Sequence, residues 1–559
     1  MSTLPGTAAA RWAIALTEIP SVTGTADEAG FAGRLVDLLR ASPLFDGRLG
    51  DRSGGRPGDV WTIPVPGGRH ARACVCALLR GRGPRTVVLT GHFDTVGIDD
   101  YGDLSPLACR PEALKTALAE RLRREAATPA ERLAFADLDG PDFLPGRGLL
   151  DMKAGLAAGL AAMEEAATDP DYPGSLLFLA VPDEEVNSDG ARAAAASLAG
   201  LGRDRGLEIV AAVNLDALVE DGDGSEGRAV ALGTIGKLLP SALVVGRATH
   251  ASDAFRGLGA CALAGALAAE MEWAPDLLER TRGDSGEEVT AGVTLLGMKD
   301  TKQGYNVTTP ERVWMFWNVM TQRRGPAEVL GIVARLAGRA ARGFTDRLGE
   351  RHGTPAGEVP VLTFDVLRQE VERRGPAAAE ALAEAARDAA GRGLDLPEQS
   401  RIVTERAWDL SGRSGPAIVL GFASMPYLAT SLGEDPAARR LETACAEAAA
   451  EVARRHGTTI RLLRYFPGIS DMSFLGQADE AAIPVIAANT PPWGAGIAWP
   501  DGPALGGVPI VNAGPWGRDY HTPLERLCVS YGFDVLPDLV GGIARRTLED
   551  SGAGSLQRE

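Results

Sequence analysis

The chain alternates short apolar runs with longer amphipathic stretches, and this rhythm changes character twice along its length. Residues 8–19 and 26–41 repeat apolar side chains at helical spacing, with Thr25 or Asp27 placed to cap the second helix. Residues 60–64 and 71–79 read as strands, and 86–90 as a strand of the fully buried kind. A charged helical stretch at 112–136 looks like a surface insertion, followed by a loop containing Pro141. Helix 152–167, buried strand 176–181, helix 188–198 and buried strand 209–215 follow. This alternation predicts an α/β layer, a mostly parallel central sheet flanked by helices.

From about residue 229 the order becomes strand 242–246, helix 254–273, strands 292–298 and 312–319, helix 327–345 and strand 359–367. That βαββαβ order predicts a small two-layer domain, residues 229–370, inserted between two parts of a first domain, 1–228 and 371–559. Residues 371–415, rich in Ala, Arg and Glu, carry little pattern beyond helix and irregular connection. The α/β rhythm resumes with strand 417–422, helix 436–456, strands 459–465 and 483–488, and a closing helix 535–549. The last eight residues are expected to fray.

At 559 residues the chain exceeds one ordinary core, and its 45% hydrophobic and 23% charged content suits a folded protein. A net charge of -17 argues against a nucleic-acid or anionic-membrane partner. No apolar run reaches the ~20 residues of a membrane span, and the opening Met1-Ser2-Thr3-Leu4-Pro5-Gly6 lacks a basic and apolar leader. Cys74, Cys76, Cys109, Cys261, Cys445 and Cys528 have no CxxC spacing and read as free thiols, so a cytoplasmic location is expected.

Five short polar stretches then change the picture, most of them closing an apolar run. His92 and Asp94 flank Phe93 after the strand 86–90, and the strand period of two puts both on one face. Asp94 could fix the imidazole's tautomer for metal binding, or His92 could be a satisfied core histidine. Asp151 opens the helix 152–167, where a carboxylate either caps or bridges two metals ~3.5–4 Å apart. Glu184 and Glu185 follow strand 176–181 and point different ways, so one can be a ligand and the other a general base. A solvated turn is the plainer alternative. Asp216 ends strand 209–215 at the carboxyl edge, where α/β sheets hold ligands, and His521 lies in a late loop. Together these are ligand types for a pair of ions such as zinc.

The order GHFDTVG, GRGLLDMKAG, PDEE, NLDA and YHTP, at residues 91–97, 146–155, 182–185, 214–217 and 520–523, resembles the M20 family of co-catalytic zinc peptidases and amidohydrolases, which includes aminoacylases. Length and large insertions resemble its RocB-like, arginine-utilisation branch. The resemblance implies that His92 and Asp216 hold one metal, Glu185 and His521 the other, and Asp151 both. Glu184 is then the general base, and Asp94 orients His92. Zinc is the implied ion, with manganese or cobalt able to bind the same donors. The inserted domain becomes a lid and dimerisation domain, from which His250 reaches a partner subunit's site to stabilise the oxyanion.

Asn306 matches a substrate-contacting position of the family, and Ser470 and Asp471 its substrate-pocket loop. Arg324 is a candidate for gripping a substrate carboxylate. The expected protein is a cytoplasmic, homodimeric, dinuclear zinc hydrolase of a small N-acyl amino acid or short peptide. Its rivals are a non-catalytic small-molecule-binding protein on the same fold and a metal-dependent acyl-transfer or amide-forming enzyme. Two stretches depart from the family pattern: 97–145, too long for a simple loop between His92 and Asp151, which implies a remodelled pocket rim, and 371–415. His70, His352 and His456 match no motif and read as surface residues.

Overall fold

The strand Arg85–His92 lies inside an eight-stranded sheet of the computed structural model. The structure describes residues 6–46, 59–283, 286–302, 304–353, 357–477, 479, 481–500 and 506–549. Strand order across the sheet is Val60–Val65, Arg72–Leu79, Ser175–Val181, Arg85–His92, Glu208–Asn214, Ile510–Asn512, Ala229–Ala231, Arg461–Leu463. The four middle strands run parallel, while the first two run antiparallel and reversal recurs where Ile510–Asn512 meets Ala229–Ala231. Because the middle strands are parallel, their carboxyl ends share one edge: His92 pairs with Val181, and Thr90 with Asn214.

Helices flank this sheet. Ala8–Thr17 and Ala26–Ala41 are capped by Thr7 and Thr25, whose hydroxyls accept from Ala10 N and Glu28 N. Ala154–Ala166 is buried along most of its length and packs against Ala8–Thr17 and Leu536–Leu548. A Cβ on Gly155 would stand 2.0 Å from the Leu215 carbonyl oxygen, so this helix approaches the strand end carrying Asp216 as only glycine allows. The expected helix 112–136 is two helices, Pro111–Glu125 and Pro129–Asp139, the second opened by a capping box of Thr128 and Glu131. No described helix is long and apolar enough to cross a membrane.

The chain divides into two compact units, 1–234 with 430–478 and 505–559, and 235–429 with 479–504. The second unit holds a six-stranded sheet of Gly236–Leu238, Arg312–Thr321, Pro240–Val245, Ala417–Phe422 and Val361–Thr363, with Thr294–Asp300 beside Arg312–Thr321. Alternation sorts its side chains cleanly. Ala242, Val244, Val313, Met315 and Trp317 face helices Ala260–Met271 and Pro326–His352. Leu243, Val245 and Trp314 face helices Phe364–Arg373, Pro376–Gly391 and Leu396–Ser411.

This unit therefore departs from the expected two-layer insertion at 229–370. Residues 371–429 belong to it, because Ala417–Phe422 pairs antiparallel with Pro240–Val245 and the helices before it cover the sheet's second face. The expected strand 359–367 stops at Thr363, where Phe364, Leu367 and Val371 recur at helical spacing. The expected strand 483–488 is the helix Ala482–Asn489, since an apolar run of that length has no period to tell strand from buried helix. The fraying expected of the last eight residues lies outside the described residues.

Candidate metal centre

His92 closes its strand with 2% of its surface exposed. Its Nε2 stands 3.2 Å from Asp151 Oδ1, 3.8 Å from Asp216 Oδ1 and 3.9 Å from Glu184 Oε2. On the far side of Asp151, Oδ2 lies 3.1 Å from His521 Nε2, which is also 3.2 Å from Glu185 Oε2. One carboxylate thus offers an oxygen to each histidine. Folding groups His92 with Asp151 and Asp216, His92 with Glu184 and Glu185, and His521 with Asp151 and Glu185 as sets able to hold an ion.

Each member is placed by a different local device. Asp151 sits in the irregular turn Leu149–Lys153 and caps nothing; its side chain turns to the histidines. Asp216 is fixed through its backbone, its N–H donating to Asn512 Oδ1 (3.0 Å) and its carbonyl accepting from Asn512 Nδ2 (2.8 Å). Asn214 Nδ2 joins Asn512 to Ser470 Oγ at 2.9 and 3.0 Å, which gives buried Ser470 a supporting role.

Asp94 differs from the expectation that its carboxylate orients His92. The Nδ1 of His92 is 3.1 Å from the Asp94 main-chain oxygen and 3.7 Å from the carboxylate. That carboxylate instead accepts from Glu184 N (3.1 Å), Glu185 N (3.2 Å) and Thr23 Oγ1 (2.8 Å). It holds the turn that carries both glutamates. Beneath the turn, Asp183 has a φ of 73° and pairs with buried Arg72. Arg72 also binds Asp189 at 2.5 Å and lies 3.9 Å from Glu28. Arg72 and Glu28 escaped the sequence reading, for no local pattern marks them.

His521 is half-exposed and, like Asp519, has a positive φ, 61° against 56°. Its loop joins the paired strands Trp516–Arg518 and Arg526–Cys528. They form a four-stranded sheet with Phe143–Pro145 and Leu218–Val219. This small sheet gathers the segments just before Asp151, just after Asp216 and on both sides of His521.

Burial opposes charge on the His92 imidazole, yet Asp151 and Asp216 hold it well above its ordinary value. His521 is raised to about 10 in the same contest, with Asp151 and Glu185 as partners. Burial pushes Glu184 well up and raises Glu185 and Asp216, whereas the hydrogen bonds of both histidines overcome burial and lower Asp151. Asp471 is buried beside Ser188, its carboxyl pushed up by burial to about 7.

The remaining candidates belong to the second unit. His250 is exposed, with Nδ1 2.7 Å from Ser252 Oγ. Exposed Asn306 accepts from Thr308 N at 3.0 Å. Arg324 donates to the Asp276 carbonyl at 2.7 Å and pairs with Glu328 at 3.2 Å, a local engagement. Of the histidines without a motif, His352 is exposed and stacked on Phe255. His456 is partly buried against Asp538 at 2.7 Å and so is less superficial than expected.

Residues 129–491 match the description of peptidase family M20/M25/M40. That span contains Asp151, Glu184, Glu185 and Asp216, with His92 before it and His521 after it. The chain is 32% identical over 565 residues to the uncharacterized protein YqjN of Bacillus subtilis (strain 168), covering 97% of each. It is 27% identical over 544 residues to protein RocB of the same organism, covering 94% of this chain and 92% of RocB. Aminopeptidase PepT from Bacillus cereus ATCC 10987 shares the fold at a TM-score of 0.50 and 15% identity, over 97% of this chain and 98% of that one. The M20 family metallo-carboxypeptidase Sso-CP2 from Sulfolobus solfataricus does so at 0.50 and 13%, over 98% and 100%. Extended family match and a full-length relative at this identity agree with the motifs: the chain is an enzyme belonging to peptidase family M20/M25/M40, the M20 peptidases and amidohydrolases.

Proposed function

We propose that the chain is a dinuclear metal hydrolase that cleaves an amide bond in a small N-acyl amino acid or short peptide. The observation that carries this reading is Asp151, one oxygen 3.2 Å from His92 Nε2 and the other 3.1 Å from His521 Nε2. The donor set fits two divalent ions. Asp151, Glu184, Glu185 and Asp216 bring more negative charge than the two imidazoles cancel, and burial raises three of those carboxyls for want of compensation. His92 and Asp216 would hold one ion, Glu185 and His521 the other, and Asp151 both. The mixed imidazole and carboxylate set favours zinc, and manganese or cobalt would also bind.

Bound here, two ions would polarise the scissile carbonyl and acidify water. The chain's own part is positioning and proton transfer. Asp94 fixes the Glu184–Glu185 turn through two backbone N–H groups, so that Glu184 faces the site. Buried Glu184, with its raised proton affinity, suits a general base that takes a proton from the attacking water and returns it to the leaving nitrogen. His250, Asn306 and Asp471 are proposed as substrate and oxyanion contacts on the family resemblance, and Arg324 as a grip for a substrate carboxylate.

Six free thiols suit a cytoplasmic enzyme. A homodimer through the second unit is supported by the strand Thr294–Asp300, paired on one side with Arg312–Thr321 and exposing Leu296 and Met298. Metal analysis of protein purified without chelator, with a screen of N-acyl amino acids and dipeptides, tests the function. About two ions per chain and chelator-sensitive hydrolysis are expected. No bound metal, and no activity after zinc or manganese is added, would overturn it.

A further inference from the structure

Contacts of the stretch 97–145 converge on the loop that carries His521 and on the segment before Asp151. Asp137, on the helix Pro129–Asp139, reaches both strands flanking that loop: its Oδ2 is 2.5 Å from Arg518 Nη1 and 2.7 Å from Arg526 Nε. Both guanidinium groups are buried, Arg526 completely, and they lie against Phe143 with ring distances of 4.9 and 5.8 Å. Arg526 also binds Asp519, two residues before His521, at 2.5 Å.

A second tie meets the loop at its other end. Glu525 accepts from Gly148 N at 3.0 Å and pairs with Arg147 at 2.7 Å, both partners lying just before Asp151. Arg147 is in turn held by Asp100 at 2.8 Å and donates to the Gly97 carbonyl at 3.0 Å. His521 itself is half-exposed and left-handed, a backbone state that persists when its surroundings over-determine it.

We infer that the 97–145 stretch is a positioning element for the His521 ligand position, with Asp137 as its key residue, acting through Arg518 and Arg526. The inference rests on the two-ion reading of the site. Loss of the Asp137 charge leaves two buried cations with one fewer counter-charge at the base of the loop. His92 closes a central strand and Asp216 is held through its backbone by Asn512, so the His92 position is expected to keep its geometry.

The test is titration of the metal-free, full-length protein with Co(II), followed by absorption, for wild type, Asp137→Asn and Asp139→Asn. Asp139 lies on the same helix but pairs with Arg123 at 3.0 Å, so its variant is the control. In Asp137→Asn the first ion is expected to bind as in wild type and the second about 10–100-fold more weakly. The control should bind both normally. Arg518→Lys, which keeps the charge and loses the fork, should show the same selective loss and serves if Asp137→Asn does not fold. Two ions bound with wild-type affinities, equal weakening of both, or the same loss in the control would overturn the inference. A wild type that takes up only one ion would instead overturn the two-position reading beneath it.

Discussion

The two histidine positions of the site are built in opposite ways. His92 ends a central strand, is 2% exposed, and has its surroundings fixed by backbone pairing to strands on both sides. His521 stands on a left-handed loop, half-exposed, and its surroundings are fixed by charged side chains drawn from the far end of the sequence. The first position is a property of the sheet. The second is a property of ion pairs, which are sensitive to any change in a single partner. The loop position is therefore the one expected to change more readily under substitution.

The largest effect is expected where the two halves meet. Glu184→Gln should lower kcat by about 10²–10⁴-fold while both ions remain bound, since the variant loses a base and keeps the ligands. Steady-state kinetics beside metal analysis would show this, and near-normal turnover would remove Glu184 from the reaction. Next comes the direct contrast. In metal-free protein, His92→Ala should cost about 3–5 kcal/mol in urea unfolding, because it leaves buried carboxylates uncompensated. His521→Ala, at a half-exposed position, should cost under about 1 kcal/mol. Equal costs would erase the distinction between the two positions.

The smallest effect lies in the support under the strand position. Buried Glu28 is raised by burial and Asp94 to about 7 from 4.5, so its folded form binds the proton more tightly than the unfolded chain. Its contribution to stability is complete below pH 4.5 and is lost as pH rises through about 7. Glu28→Gln should therefore be more stable than wild type at pH 8, by about 1–2 kcal/mol after solvent screening, and no different at pH 4. Thermal melts at the two pH values would reveal a gain at both, or at neither, if Glu28 is not the group responsible.

The same contrast explains what could be read in the sequence. His92, Glu184, Glu185 and Asp216 each follow an apolar strand, so local pattern alone placed them at one sheet edge. His521 follows no such run and was legible only through its motif. The contacts that hold it were not legible at all: Asp137 and Arg526 are 389 residues apart, and nothing local says which arginine meets which acid. The part played by the Asp94 carboxylate was hidden for a related reason. It depends on the turn after Ser175–Val181 folding back over His92, a tertiary fact. Residues 417–422 read as a strand from their apolar run and form one, but an apolar strand does not announce which sheet it joins.

The helices covering the second face of the inserted sheet have a consequence for association. A sheet sealed on both sides behaves as a slab, and a slab offers another molecule its rim. Substitutions on either face of this one act as core substitutions, felt as stability. In the proposed homodimer, changes of partner would fall to the few side chains along the margin, Leu296, Met298 and Lys299 among them. Recognition and folding would then be written in separate residues of one sheet.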